Sequence, residues 1–137
     1  MINVGVVSYS SDKFNEINAK ALLAISLDIV EDAMGGEKFA LVSGFSDIGI
    51  PGLAYRMAKT RGWKTVGLSA AEVKEYDCYD VDEEIIEGEK FGDESEKFIE
   101  YIDCLVRIGG GPQSFKEVEM AEDAGMPVFE FDLPESD

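Results

Sequence analysis

Phe39-Ala40-Leu41-Val42, running into Ser43-Gly44-Phe45-Ser46-Asp47-Ile48-Gly49-Ile50-Pro51-Gly52, is the stretch on which the fold turns. Four apolar residues in a row, without polar alternation, suit a strand buried on both faces. The glycines and serines behind it form a turn. Pro51 fits the first turn of a helix, where a missing N–H costs nothing. Leu53, Ala54, Met57 and Ala58 supply that helix with an apolar stripe, and Gly62 ends it.

The same unit recurs outward in both directions. Val4-Gly5-Val6-Val7 reads as a strand, and Ser8 to Asp12 as its turn. Phe14, Ile17, Ala21, Ile25 and Ile29 then predict an amphipathic helix from about 12 to 34, stopped by Gly35-Gly36. Thr65-Val66-Gly67-Leu68 is a third strand, and Ser69-Ala70-Ala71-Glu72 has the spacing of a capping box ahead of a short helix. Glu84-Ile85-Ile86 carries a weak strand signal, and a helix is expected from about 93 to 102. Cys104-Leu105-Val106-Arg107-Ile108 is a further strand, entering Gly109-Gly110-Gly111-Pro112-Gln113-Ser114. A helix from about 115 to 124 and the strand Val128-Phe129-Glu130-Phe131 complete the series.

Strands alternating with helices across short loops imply βαβ units with right-handed crossovers. The expected fold class is therefore α/β, a Rossmann-like, doubly wound, mostly parallel sheet of 5–6 strands with helices on both faces, in one domain over residues 1–137. In such sheets ligands sit outside the carboxyl ends of the strands. Three segments should meet there, 8–13, 44–52 and 109–117, each offering free backbone amides at a helix N-terminus. Glycine lets a phosphate or ribose come close to that backbone.

Composition narrows the chemistry. Twelve basic residues against 29 acidic ones give a net charge of −17, which repels nucleic acid and anionic membranes at long range. No apolar run approaches the roughly 18–20 residues of a membrane span. The opening Met1-Ile2-Asn3-Val4 lacks a basic n-region and reads as a strand that begins at once. With two cysteines, Cys78 and Cys104, no disulfide framework is expected, and a reducing cytoplasm is the simplest home. There is no histidine, so a Ser-His-Asp triad and a Cys-His pair are impossible. No metal-ligand spacing occurs, and no metal is expected.

The candidate ligand contacts are Ser10 and Ser11 in the first loop and Gly44, Phe45, Ser46, Asp47, Gly49 and Gly52 in the second. In the third they are Gly109, Gly110, Gly111, Gln113, Ser114 and Glu117. Two readings compete at several of these. Ser114-x-x-Glu117 has capping-box spacing, and on spacing alone capping is favoured, with the carboxylate returned to the Ser114 amide. Asp47 can hold its own turn as an Asx motif, and Phe45 can stack on a base or belong to the core.

These loops resemble those of the Rossmann-like superfamily that holds the LOG phosphoribohydrolases (also termed lysine-decarboxylase-like), the DprA/Smf proteins and the molybdenum-cofactor carrier proteins. The segment 41–52 is similar to V-x-G-G-G-x-x-G-x-M-G, with Gly44, Gly49 and Gly52 matching and Phe45 and Ser46 replacing two glycines. Residues 108–117 resemble L-P-G-G-x-G-T-x-x-E, with Gly110, Gly111, Ser114 (for Thr) and Glu117 in place; Gly109 replaces Pro and Gln113 the third Gly. Ser10-Ser11 sits like the G-S-S turn.

The resemblance implies a nucleotide-sized site. In LOG enzymes an M-H-x-R-K segment supplies an Arg that works with the later Glu to split base from ribose phosphate. Counted back from Asp103, that Arg falls on Glu94 and the following Lys on Ser95. The expectation is a nucleotide or pterin-type cofactor held without turnover. The alternatives are a phosphoribohydrolase using Glu117, and a partner-binding domain with a vestigial pocket. For turnover, no proton donor to the leaving base stands out. Carriers and LOG proteins also suggest a homo-oligomer, with Tyr55, Met57 and Phe98 as exposed apolar candidates.

Overall fold

A computed structural model describes residues 1–9, 11–36 and 38–136, so Ser10 of the first candidate loop lies outside the described residues. The elements run β1 (Ile2–Val7), α1 (Glu16–Met34), β2 (Phe39–Ser43), α2 (Gly49–Thr60), β3 (Lys64–Ser69), a 3-10 turn (Ala71–Glu75), β4 (Glu83–Ile86), α3 (Ser95–Tyr101), β5 (Cys104–Ile108), α4 (Pro112–Asp123) and β6 (Val128–Phe131). The six strands form one sheet in the order β4-β3-β2-β1-β5-β6, and every neighbouring pair is parallel. The expected α/β doubly wound sheet is what forms.

Burial on both faces explains the continuous apolar strands. Val4, Val6, Leu41 and Val106 pack on one face against Leu23 and Leu27 of α1 and Ala54 and Tyr55 of α2. Val42, Val66, Leu68 and Leu105 pack on the other against Phe98 of α3 and Val118 of α4. The chain builds β1 to β4 in one direction, then returns to the far side of β1 for β5. The strand order therefore reverses between β1 and β5. A crevice opens at such a point because the flanking loops part to opposite faces.

Several expectations are corrected. Helix α1 starts at Glu16, where the Asn15 side chain accepts from the Asn18 amide at 3.0 Å. Its buried face is Ala19, Leu23, Ser26, Leu27 and Val30, whereas Ile17, Ala21, Ile25 and Ile29 face outward, Ile17 at 80% exposure. The physical reason is geometric. Steps of four residues alone drift by about 40° each around a 3.6-residue helix, and the mixed 4-3-1-3 spacing of the buried set stays on one face. Ser69 ends β3 and caps nothing; Glu72 instead accepts from the Phe91 amide at 3.0 Å. Tyr55 and Phe98 are core residues and Met57 is half-buried, so none of these three forms an exposed apolar patch.

Candidate functional site

A cavity of about 650 Å³ lies at the carboxyl edge of the sheet, within the range typical of small-ligand sites. Ser8, Tyr9 and Ser11 reach it from the β1 exit, Ser43, Gly44 and Ser46 from the β2 exit, and Gly111, Gln113 and Ser114 from the start of α4. The three loops picked out in the sequence thus share one cavity. Leu68, Val73, Phe91 and Phe98 supply apolar wall, and Tyr76 and Phe91, with ring centroids 6.0 Å apart, are the half-exposed aromatics among the lining residues.

One end of the cavity is built from serines. Ser43 donates to the Val6 carbonyl at 2.7 Å, tying the β2 exit to β1. Ser46 accepts from the Ile48 amide at 3.1 Å. The Ser8 hydroxyl oxygen is buried and has no hydrogen-bond partner among the described residues. A buried polar atom without a partner is costly, and its residue lines the cavity. Ile48 stands at the N-cap of α2 and gives it no side-chain cap; of its first turn only Pro51, which has no N–H, lines the cavity.

The other end is acidic. Glu94, immediately before α3, and Glu117, on α4, both line the cavity and are each only 5% exposed. Glu94 accepts from the Gly92 amide at 2.7 Å and from the Gln113 amide at 3.4 Å. Glu117 accepts from the Ser95 hydroxyl at 3.1 Å. Burial pushes the Glu117 carboxyl up to about 7, and the Glu94 charge adds to this; Ser95 and Gln113 pull the other way. Glu135 also lines the cavity, and among the described residues no lysine or arginine does so. The buried cation Arg107 is bound to Glu130 at 2.9 Å, to Asp132 at 3.0 Å and to the Gly109 carbonyl, with its guanidinium 4.7 Å above the Phe115 ring.

Of the sequence-derived candidates, Ser11, Gly44, Ser46, Gly111, Gln113, Ser114 and Glu117 line the cavity. Phe45, Asp47, Gly49, Gly52, Gly109 and Gly110 do not. Asp47 forms an ion pair with Arg56 at 2.7 Å. Phe45 is core rather than a stacking platform: its ring packs on Gly67, Lys74 lies 4.4 Å above it, and its amide donates to the Tyr55 hydroxyl at 3.0 Å. Its φ of +76° is left-handed, which accounts for the glycine that the resembling pattern carries there. Gly49, at φ +74°, and Gly52 serve packing, because a Cβ would collide with the Ser11 and Asp47 carbonyl oxygens respectively.

Ser114 and Glu117 form no capping box with each other. Helix α4 begins at Pro112, so Ser114 is its third residue, accepting from the Gly111 amide at 2.9 Å and donating to the Gly111 carbonyl at 2.8 Å. Glu117 is thereby free of the backbone and faces the cavity. Sequence reading did not name Ser69 or Glu135 as lining residues, nor Ser8 and Tyr9 individually within the 8–13 segment; Glu94 was reached only through the resemblance, at the position of the family's Arg. The tail after β6 folds back, with the Tyr9 hydroxyl donating to the Leu133 carbonyl at 3.1 Å, and this brings Glu135 to the cavity. Nothing local in the sequence signals that return. Among the described residues no three His, Cys, Asp or Glu side chains gather as a metal ion requires, and no helix is long and apolar enough to cross a membrane. Both cysteines are free, and burial pushes the Cys104 thiol up to about 12.

An all-parallel sheet with a cavity over its reversal point defines a Rossmann-like α/β protein, and its solved neighbours are of the LOG-like group. The molybdenum cofactor carrier protein from Chlamydomonas reinhardtii is 25% identical with a TM-score of 0.72, the match covering 94% of this chain and 75% of that one. The molybdenum cofactor binding protein from the phototrophic bacterium Rippkaea orientalis is 20% identical with the same TM-score, over 94% and 75% of the two chains. The X-ray structure of TM1055 gives 21% identity and a TM-score of 0.72, over 93% and 72%. No family model and no curated protein matches the chain.

Proposed function

We propose that this chain binds a small nucleotide or pterin-type cofactor in the cavity at the carboxyl edge and holds it without turnover. One observation carries the reading: the cavity is intact while Glu94 lies buried in it at the position where the resembling hydrolases have Arg. The volume suits one mononucleotide-sized molecule, and the unpartnered Ser8 hydroxyl is a contact for a ligand atom. The described function of the two molybdenum-cofactor neighbours supports a carrier. A phosphate on the ligand fits the serine end, where hydroxyls are the donors, since among the described residues no cation lines the cavity.

Mass spectrometry of small molecules released from the purified protein tests this directly, and the expected result is one bound species near stoichiometry. Thermal shift against nucleotides and pterins is the second measure, because a ligand for the native state raises stability by RT ln(1 + [L]/Kd). A melting temperature unmoved by every ligand at millimolar concentration refutes binding and favours a partner-binding domain with a vestigial pocket.

A hydrolase reading has one observation in its favour. Glu117, with its carboxyl pushed up to about 7, is a proton donor at neutral pH that sequence reading did not find. Against it stands Glu94, which repels the phosphate and offers no cation to a developing anion. No release of adenine from AMP is expected from the wild-type chain. Robust release that vanishes in Glu117→Ala would establish the hydrolase.

A further inference from the structure

Resting on the binding function proposed above, we infer that the acidic end of the cavity recognises the 2-amino-4-oxopyrimidine edge shared by guanine and pterin rings, through Glu117, Glu94 and Gln113. That edge presents a ring N–H and an adjacent amino group in one plane, two donors that match two carboxylate oxygens. Adenine and hypoxanthine lack the pair.

Four features of the site point this way. The acceptors are buried: Glu94 and Glu117 are each 5% exposed and line a cavity rather than an open surface. Their acceptor capacity is not spent. A carboxylate takes about four hydrogen bonds, whereas Glu117 accepts the Ser95 hydroxyl and is influenced by the Gln113 amide, with no backbone donor on it. The wall beside them is apolar and aromatic, from Val7, Leu68, Phe98 and Phe91, which suits a flat ring better than a flexible amine. Independently of the acids, the buried and unpartnered Ser8 hydroxyl lines the same cavity and calls for a ligand atom.

The orientation follows from charge. A ligand carrying both a phosphate and a donor-rich ring cannot place the phosphate beside two buried carboxyl groups, so the ring takes the α4 end and the phosphate the serine end at α2. Buried carboxyls left facing donors gain; the same groups facing a ring acceptor are left unpaired, and such sites discriminate strongly.

The test is calorimetric titration of the full chain with GMP, IMP and AMP, and with a pterin against the 2-oxo pteridine that lacks the amino group. GMP should bind roughly 10- to 100-fold tighter than IMP, the range set by hydrogen bonds to charged groups, and the pterin should show the same preference over its analogue. The nucleotide and pteridine arms separate a guanine ligand from a pterin one. Glu117→Gln and Glu94→Gln, each checked for an unaltered circular dichroism spectrum, should erase most of that preference, weakening GMP more than IMP, which keeps the ring N–H but has no amino group to lose a partner. Equal binding of GMP, IMP and AMP overturns the inference and leaves the binding function standing, as does a preference that survives both variants. Tighter binding of spermidine than of any ring overturns it in favour of a cation site. Failure of every probe, with no small molecule released from the protein, overturns both readings together.

Discussion

The β2–α2 turn and the β5–α4 turn start from similar material, a glycine-rich strand exit that opens a twelve-residue helix, yet they face the cavity with opposite chemistry. In the first, the acid Asp47 is paired with Arg56 and kept off the cavity wall, leaving serine hydroxyls. In the second, Ser114 occupies the Gly111 amide, and the carboxyls of Glu94 and Glu117 take over the wall. Two turns that look equally suited to phosphate in sequence therefore differ in sign. Pocket electrostatics depend on which way a few acids face, not on how many the loop contains.

The glycines of the two turns break the comparison most sharply. A Cβ at Gly52 would collide with the Asp47 carbonyl oxygen, which is backbone and cannot move aside cheaply, whereas a Cβ at Gly111 meets nothing within 4 Å. Gly52→Ala is expected to destabilise by roughly 3 kcal/mol, the upper part of the overpacking range. Gly111→Ala should stay within about 0.5 kcal/mol, as unconstrained sites do. Urea melts of the two variants check this, and equal losses would show that the β5–α4 turn is held as tightly as its counterpart.

Glu117→Gln isolates the acidic end. The Glu117 carboxyl sits at about 7 in the fold against an ordinary value of 4.5. A group with a raised folded value holds its proton more tightly in the native state. Wild-type stability therefore falls as pH rises from about 4.5 to about 7 and is level above that. The variant should be more stable than wild type by about 3 kcal/mol at pH 8 and by nothing below pH 4, from the pKa difference alone. Melts from pH 4 to pH 8 measure it. A constant difference across that range would mean that Glu117 does not titrate there.

Much of this was legible in the sequence, and the failures have physical causes. Strands β5 and β6 were read to the residue, because each is a mainly apolar run between turn signals, interrupted only by Arg107 and Glu130, and the doubly wound order follows from strand–helix alternation. The start of α4 was misplaced because two start signals compete there. Pro112 in the first turn wins over Ser114 at the cap, and moving the start by three residues turns Glu117 from a capping group into a cavity wall. The face of α1 was misread because Ile outranks Ala and Ser in hydrophobicity, yet Ala19 and Ser26 are the residues small enough to lie against the sheet. Glu135 was out of reach, and Glu94 was placed at the site only by the resemblance, for another reason. What buries them is tertiary: the packing of α3 against α4, and the return of the tail over β1.

On the β2 side, Tyr55→Phe probes what holds the turn in its left-handed kink. The Tyr55 hydroxyl donates to the Val66 carbonyl and accepts from the Phe45 amide, both at 3.0 Å and both buried. Its removal strands one donor and one acceptor, and a loss of roughly 2 kcal/mol is expected. Because Phe45 sits at φ +76°, the variant should also loosen the exit of β2, read as faster amide exchange at Phe45 and Ser46. Exchange unchanged at both would mean that the Phe45–Gly67 packing alone sets the kink.

Ser114→Ala gives the smallest expected effect and the finest distinction between the two turns. Its hydroxyl accepts from the Gly111 amide and donates back to the Gly111 carbonyl, closing the first turn of α4 on itself. Replacement by alanine removes a cap-type interaction at a buried position bordering the cavity, so a cost of about 1 kcal/mol is expected. The released Gly111 amide would then point toward the cavity beside Glu94 and Glu117. A free donor there stabilises a nearby carboxylate, and the Glu117 carboxyl should titrate lower than in the wild type. Carbon-detected NMR titration of the glutamate side chains reads this shift, and urea melts read the stability cost. A stability loss without any shift in Glu117 would place the freed amide in solvent, and the serine would then matter to the helix alone.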